Sequence, residues 1–310
     1  MQTILDVLYD ATKKCTARHL ALSGGLDSTI LAYLLREKKP DCIAIISKAY
    51  TANDLTYSQM AAKEFGLELS IHTYDMPQIL DAIEGTIKIL GNFNDIEIRN
   101  NIVPYLAISE IKKQGFDSII TGDGADELFA GYNFLVSKSE SELKSDMARI
   151  AKIMHFPSQK IGKALGVMVE SPFCDSMVLK FAKELPASEL VGSHNDKKYG
   201  KFILRKSFED KIPHAIVWRQ KSPMQEGSGT QGLTGFFDGT IPDGVFFQKI
   251  KKIRSQDNVI IRTKESLYYY EIFRKYHKLD NSGHKTSCPD CHHTIEENSK
   301  FCRMCGRFPI

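Results

Sequence analysis

The stretch Ser23-Gly24-Gly25-Leu26-Asp27-Ser28-Thr29-Ile30 constrains this chain more than any other. It follows HLALS (19–23), which reads as a strand, and it leads into a helical pattern from Ser28 to Glu37. Gly24 and Gly25 lack the Cβ atoms that would keep backbone N–H groups from closing on an anion. Ser23 and Ser28 add hydroxyl donors, and a helix starting here points its positive end at the bound charge. Asp27 alone would repel phosphate, and a magnesium ion held between the two resolves the conflict. The loop lacks the Gly-Lys-Ser/Thr ending of the Walker type. A bare Ser-Gly-Gly is any tight turn; the whole string between a strand and a helix is far more specific.

The rest of the first half alternates in the same way. CIAIIS (42–47) reads as a buried strand, and LELSIHT (67–73) and FDSIIT (116–121) as further strands. Helical patterns run from Asp54 to about Gly66, from Pro77 to Leu90 and from Val103 to Lys113. Such alternation predicts an α/β fold with a parallel sheet covered on both faces. In such sheets ligands bind beyond the carboxyl ends of the strands. From about Ser139 to Lys278 the pattern becomes helical with irregular connections, including an apolar face over Ser266–Tyr276. Gln225–Gly235 is polar and glycine-rich and reads as a plain surface loop, with a lid as the alternative; residues 277–286 read as a linker. A net charge of +3 does not argue for nucleic acid, and no apolar run approaches the roughly 20 residues of a membrane helix. The N-terminus reads as an amphipathic helix rather than a signal peptide. With scattered thiols at Cys15, Cys42 and Cys174, that predicts a cytoplasmic protein.

A second motif, Thr121 to Tyr132 (TGDGADELFAGY), follows the last of these strands. Asp126 is placed to give the metal a second carboxylate beside Asp27, whereas Glu127 also suits a plain acidic helix start.

The first loop resembles that of the PP-loop ATP pyrophosphatases, which cleave ATP between its α and β phosphates. The second resembles the signature of asparagine synthetases. Further segments are similar to that family in the same order: Asp54-Leu55, IRNNIVPYLAISE (98–110), GVMVESPFCD (166–175) and KFILRKSFEDKIPHAIVWRQK (201–221). The resemblance implies a PP-loop (adenine nucleotide alpha hydrolase-like) domain with a helical C-terminal extension, over residues 1–280. It implies an AMP-forming amide synthetase using ATP and Mg2+, with aspartate as the default carboxylate and ammonia as the amine. Ser23, Gly24, Gly25, Asp27 and Ser28 would hold pyrophosphate and magnesium, with Asp126 joining them. Ser47, Thr121 and Gly122 would contact AMP. Asp123 stands where the family has a glutamate that takes a proton from ammonia, and Lys221 would neutralise phosphate charge as the adenylate forms and collapses. Arg205 either supports that site, holds a carboxylate, or lies on a helix surface.

The chain departs from the family in two places. Asp123 is one methylene shorter than glutamate, and Met168 and Glu170 stand where the family has glutamate and arginine, which bears on the acceptor. With Gln2 after Met1 and the loop at residue 23, no glutaminase domain is expected here, so ammonia would come from solution or a separate glutaminase subunit. The rival readings are an adenylating enzyme that modifies tRNA or another RNA, amidation of a different carboxylate, and a non-catalytic binding module.

Near the C-terminus, CPDC and CRMC place Cys288, Cys291, Cys302 and Cys305 in two C-x2-C knuckles. Four thiolates in tetrahedral array suit Zn2+, predicting a zinc ribbon over residues 286–310. An iron–sulphur cluster and disulfides are the alternatives, and His292 and His293 are rival ligands. Lys285, Lys300, Arg303 and Arg307 give the ribbon a basic edge. Such an edge reads as a solvated face, and RNA contact through it is the less favoured reading.

Overall fold

Short strands set the architecture, and those at His19–Ala21, Asp41–Ser47 and Ser118–Ile120 are largely buried. A computed structural model describes residues 2–48, 54–220, 232–279, 287–295 and 299–310. The chain divides into two compact units: Met1–Ile46, Ala52–Thr73 and Ala107–Ser228 form the first, and Ser47–Thr51, Tyr74–Leu106 and Gly229–Ile310 the second.

The first part of the chain runs α1 (Ile4–Lys13), β1 (His19–Ala21), α2 (Leu26–Leu35), β2 (Asp41–Ser47), α3 (Asp54–Phe65), β3 (Leu69–Tyr74), α4 (Met76–Leu90), α5 (Asp95–Lys113) and β4 (Ser118–Ile120). After β4 come α6 (Ala125–Leu128), α7 (Asn133–Val136), α8 (Glu140–Ile153), α9 (Pro157–Leu165) and β5 (Met168–Glu170). The five strands form one sheet in the order β3-β2-β1-β4-β5. β1 pairs in parallel with β2 (Leu20 opposite Cys42) and with β4 (Leu20 opposite Ile120), and β4 pairs in parallel with β5. With β1 central and sealed by Leu20, Ile30, Leu31 and Ile120, its carboxyl end is where α2 begins. This is the α/β parallel-sheet class that the sequence predicts.

Four features differ from the sequence reading. α2 starts at Leu26, two residues early, and α5 starts at Asp95, well before Val103. The edge strand β5 falls inside a segment otherwise read only as a motif. The stretch read as helices after Ser139 also holds a hairpin. There α10 (Ser176–Lys183) and α11 (Ala187–Leu190) lead into antiparallel β6 (Val191–His194) and β7 (Lys197–Gly200), followed by α12 (Phe202–Ser207) and α13 (His214–Val217). Asn195 and Asp196, both at positive φ, form its two-residue turn, the geometry that matches strand twist.

In the second unit α14 (Leu233–Thr240), α15 (Asp243–Asp257) and α16 (Lys264–Tyr276) join α4. α16 buries Leu267, Tyr270 and Phe273, and Phe93 meets the last two rings at 5.0 and 5.4 Å. Arg99, from the family-like Ile-Arg stretch, sits 3.1 Å from buried Glu265, which also accepts from Thr234 and Tyr269. The ribbon residues pack here too. Phe93 N–H donates to Met304 O, Ile260 N–H donates to Asp290 O, and Arg262 holds buried Asp290 through two bonds of 2.6 and 2.9 Å. No helix among the described residues is long and apolar enough to cross a membrane.

Candidate active site

The loop after β1 brings the predicted residues together at the start of α2. Gly24 has φ +71°, and a Cβ there would run into the backbone of Tyr57 and Ser58 at the start of α3. Only glycine fits. Ser23 Oγ lies 3.2 Å from Ser28 Oγ and accepts from Gly25 N–H at 3.3 Å. Gly25 is the N-cap of α2 and no side chain caps that helix, so its first-turn amides remain for an anion.

Opposite them stands the segment after β4. A Cβ on Gly122 would lie 3.1 Å from Asp27 Cβ, which measures how closely the two loops face. Asp27 and Asp126 converge on one cation, Lys201. Its Nζ lies 2.7 and 2.6 Å from the Asp27 oxygens and 2.6 Å from Asp126 Oδ1. Burial alone would lower the Lys201 pKa, but Asp126 and Asp27 outweigh it and raise the value, so the ammonium stays charged. Two carboxylates facing an uncapped helix start fit the oxygen donors a magnesium ion bound with phosphate requires.

The sequence reading did not single out Lys201. Its placement is unusual: Lys201 has φ +54° and Ala130 has φ +55°, left-handed conformations that non-glycine residues rarely adopt. Each neighbours a glycine at which a Cβ would not fit. At Gly200 it would strike the Ala130 carbonyl, and at Gly131 it would strike Asp126 Oδ1 and the Lys201 chain. Lys201 N–H donates to Phe129 O at 2.7 Å. Strained backbone retained at two crossing segments, with the lysine at the crossing, marks a functional constraint. The available signal was the Tyr-Gly-Lys string beside the Leu-Arg of the family-like segment.

Asp123 lies within the same loop, where its Oδ2 accepts from Thr121 Oγ1 at 2.8 Å and from Ser158 Oγ at 2.5 Å. Burial holds its carboxyl above the ordinary range; those two bonds oppose the shift and nearby Asp27 adds to it. Ser158, on α9, is a second residue the sequence reading missed. Glu127 accepts from Tyr132 OH at 2.6 Å, a local structural pair.

Arg205 is buried rather than on a helix surface. It donates to the backbone carbonyls of Gly200 and Arg219 at 2.9 and 3.0 Å and also to that of Val217. Lys221 lies outside the described residues, as do residues 225–231 of the glycine-rich loop. Ser47 is the buried last residue of β2 and groups with the second unit. Glu170, at the family's arginine position, turns to the chain before β1. It accepts from Thr16 N–H and Ala17 N–H and, at 2.8 Å, from Thr16 Oγ1. Met168 is largely exposed.

The four cysteines converge. Cys288 Sγ lies 3.6 Å from Cys305 Sγ, and Cys291 Sγ 3.6 Å from Cys302 Sγ. Thiolates around one zinc at about 2.3 Å stand about 3.8 Å apart, so the set fits that ion. Each knuckle ends on a left-handed residue, His292 and Gly306. The His292 ring pairs with Asn258 O at 2.9 Å, so it is not drawn to the thiolates.

A glycine-opened loop at the central strand's carboxyl end, leading into an uncapped helix and faced by paired carboxylates, is the arrangement of the PP-loop class of α/β domains. The asparagine synthase family matches residues 3–155 and 136–243, and the chain belongs to that family. It is 28% identical over 234 residues to asparagine synthetase [glutamine-hydrolyzing] 1 of Saccharomyces cerevisiae, covering 70% of this chain and 40% of that protein. It is 28% identical over 277 residues to the glutamine-hydrolyzing asparagine synthetase of Gallus gallus, covering 83% of this chain and 48% of that protein. The chain therefore spans about half the length, or less, of these relatives. Among solved structures, NMN synthetase from Francisella tularensis matches 88% of this chain and 91% of its own, at 14% identity and a TM-score of 0.38, a likeness too weak to build on.

Proposed function

We propose that this chain is an ATP-dependent, AMP-forming amide synthetase that converts aspartate to asparagine with ammonia. The observation that carries the reading is the Asp27–Lys201–Asp126 cluster beside an uncapped, glycine-opened helix start, within the stretch that matches the asparagine synthase family.

The first-turn amides of α2, with Ser23, Gly24, Gly25 and Ser28, hold the pyrophosphate end of ATP. Asp27 and Asp126 would hold the magnesium that accompanies ATP, which supplies positive charge to the phosphates. Thr121 and Gly122, at the carboxyl end of β4, border the AMP portion. A side-chain carboxylate oxygen of the acceptor attacks the α phosphorus and pyrophosphate leaves. Ammonia then attacks the acyl carbon of the β-aspartyl adenylate, AMP leaves, and Asp123 takes the proton shed by nitrogen. A carboxyl whose pKa is raised by burial suits that task better than an ordinary aspartate. Lys201 and Lys221 offset the charge that spreads onto phosphate oxygens, and Arg205 positions the backbone ahead of Lys221. The ammonia is free or delivered by a separate glutaminase subunit, and the four cysteines hold Zn2+.

The test is AMP and pyrophosphate release from MgATP with ammonium and aspartate, read beside asparagine formation. Aspartate-dependent AMP and stoichiometric asparagine support the reading. AMP formation with a different acid would move the acceptor and keep the mechanism. No AMP with any small acid, with or without a glutaminase, would sink it.

A further inference from the structure

We infer that His194, Glu209 and His214 bind a divalent first-row transition metal, at a site distinct from the cysteine ribbon and from the Asp27–Asp126 pair. Each offers one ligand atom, and the three atoms lie within 4.8 Å of one another. Donors sharing an ion at about 2.0–2.2 Å stand roughly 3–4 Å apart, so small side-chain rotations close the set.

Three pieces of the first unit meet here. His194 ends β6 beside the Asn195-Asp196 turn, Glu209 follows α12, and His214 opens α13. The rings of His194 and His214 are 6.0 Å apart. Trp218 fixes the arrangement: its indole stacks on His194 at 3.7 Å, with planes 3° apart, and its Nε1–H donates to Glu209 Oε1 at 2.9 Å. Both the imidazole and the carboxylate are thus oriented by the same side chain, as ligands in built metal sites are oriented by their neighbours.

The pointer to a ligand is His194 Nε2, which is sealed from solvent and has no hydrogen-bond partner among the described residues. A polar ring nitrogen held dry beside a carboxylate and a second imidazole is answered by a cation that accepts its lone pair. Glu209 Oε2 is held by Lys206 at 2.7 Å, but Lys206 is half-exposed and returns to water at little cost. Two imidazoles and one carboxylate suit zinc, nickel or cobalt; magnesium and calcium prefer all-oxygen sets. The bound ion would tie the β6–β7 hairpin to the stretch from Glu209 to Trp218, whose Val217 carbonyl Arg205 holds.

Trp218 is the chain's only tryptophan, so its fluorescence reports on this site alone. The 310-residue chain with its cysteines loaded with zinc is titrated with Ni2+, and zinc retention is checked by elemental analysis. Saturable quenching at one added Ni2+ per chain is expected, without response to Mg2+. His214→Ala, at an exposed position, should weaken the apparent affinity at least about tenfold, and Glu209→Gln should weaken it similarly. Quenching that never saturates, or that His214→Ala and Glu209→Gln leave unchanged while zinc stays bound, would overturn the site.

Discussion

Lys201 sits where charge is most crowded. Asp27 and Asp126 face each other with side chains about a fifth exposed, and one nearly sealed ammonium holds both. Replacing it by an apolar chain of similar length leaves two carboxylates in mutual repulsion and removes a cation from the proposed phosphate site. Lys201→Met should lower adenylate formation at least about 100-fold, read as AMP release at saturating MgATP, with the circular dichroism spectrum retained. Lys201→Arg should not rescue it, because the planar guanidinium cannot occupy the space of a compact ammonium. A second residue-scale expectation concerns Asp54, whose pKa burial pushes up to about 6 against the pull of Arg219 at 3.5 Å. The folded pKa lies above the unfolded value of 3.8, so the folded state binds this proton more tightly. The stability from this group is full below the unfolded value and is lost as pH rises through the folded one. Two pH units correspond to about 3 kcal/mol, so the difference in unfolding free energy between wild type and Asp54→Asn should change by up to that amount between pH 3.5 and 7. A flat difference in urea melts across that range would remove the claim.

Elements were legible where their signal is local. The β1–loop–α2 turn announces itself in contiguous residues, and so does the signature after β4, because the glycines, acids and hydroxyls that build each loop are sequence neighbours there. Lys201 was not legible as a site residue: what brings it to Asp27 and Asp126 is the crossing of residues 130–131 with 200–201, a tertiary event. Ser158 was hidden for the same reason, contributed to Asp123 from another helix. The β6–β7 hairpin has Asn-Asp at its turn but no clean apolar alternation, and β5 is three residues long. Glu170 stands at the family's arginine position, and its bonds to Thr16 and Ala17 come from a segment far away in the chain that the sequence reading could not pair with it. The crossing makes an element-scale prediction. Gly200→Ala would press a methyl group into the Ala130 carbonyl, backbone that cannot yield as a side-chain tip can. It should cost about 1–3 kcal/mol in urea unfolding and also reduce activity through displaced Lys201, whereas Gly235→Ala, with open space around it, should do neither.

At the scale of the whole molecule the cysteines belong to the second unit. A segment this small has little core of its own, and metal binding supplies the folding free energy of such pieces. Here the ribbon's neighbours are also load-sharing: Asp290, between the first two cysteines, is buried and held by Arg262, and Phe93 and Ile260 bond to ribbon backbone. If the four cysteines hold a metal, its removal should loosen α4 and α16 and not only the tail. Trp218 lies in the first unit, so its fluorescence follows that unit, while hydrogen exchange in α16 follows the second. With a strong chelator, or in Cys302→Ser, exchange in α16 and around Phe93 should accelerate at least tenfold, while the Trp218 emission at low denaturant stays native. Arg262→Ala should give a milder version, about 1–3 kcal/mol, since it leaves a buried carboxylate without its charged partner and keeps the thiolates. If chelation instead left α16 exchange unchanged, a metal at the cysteines would serve the ribbon alone, and the bonds to Asp290 and Met304 would be contacts without mechanical consequence.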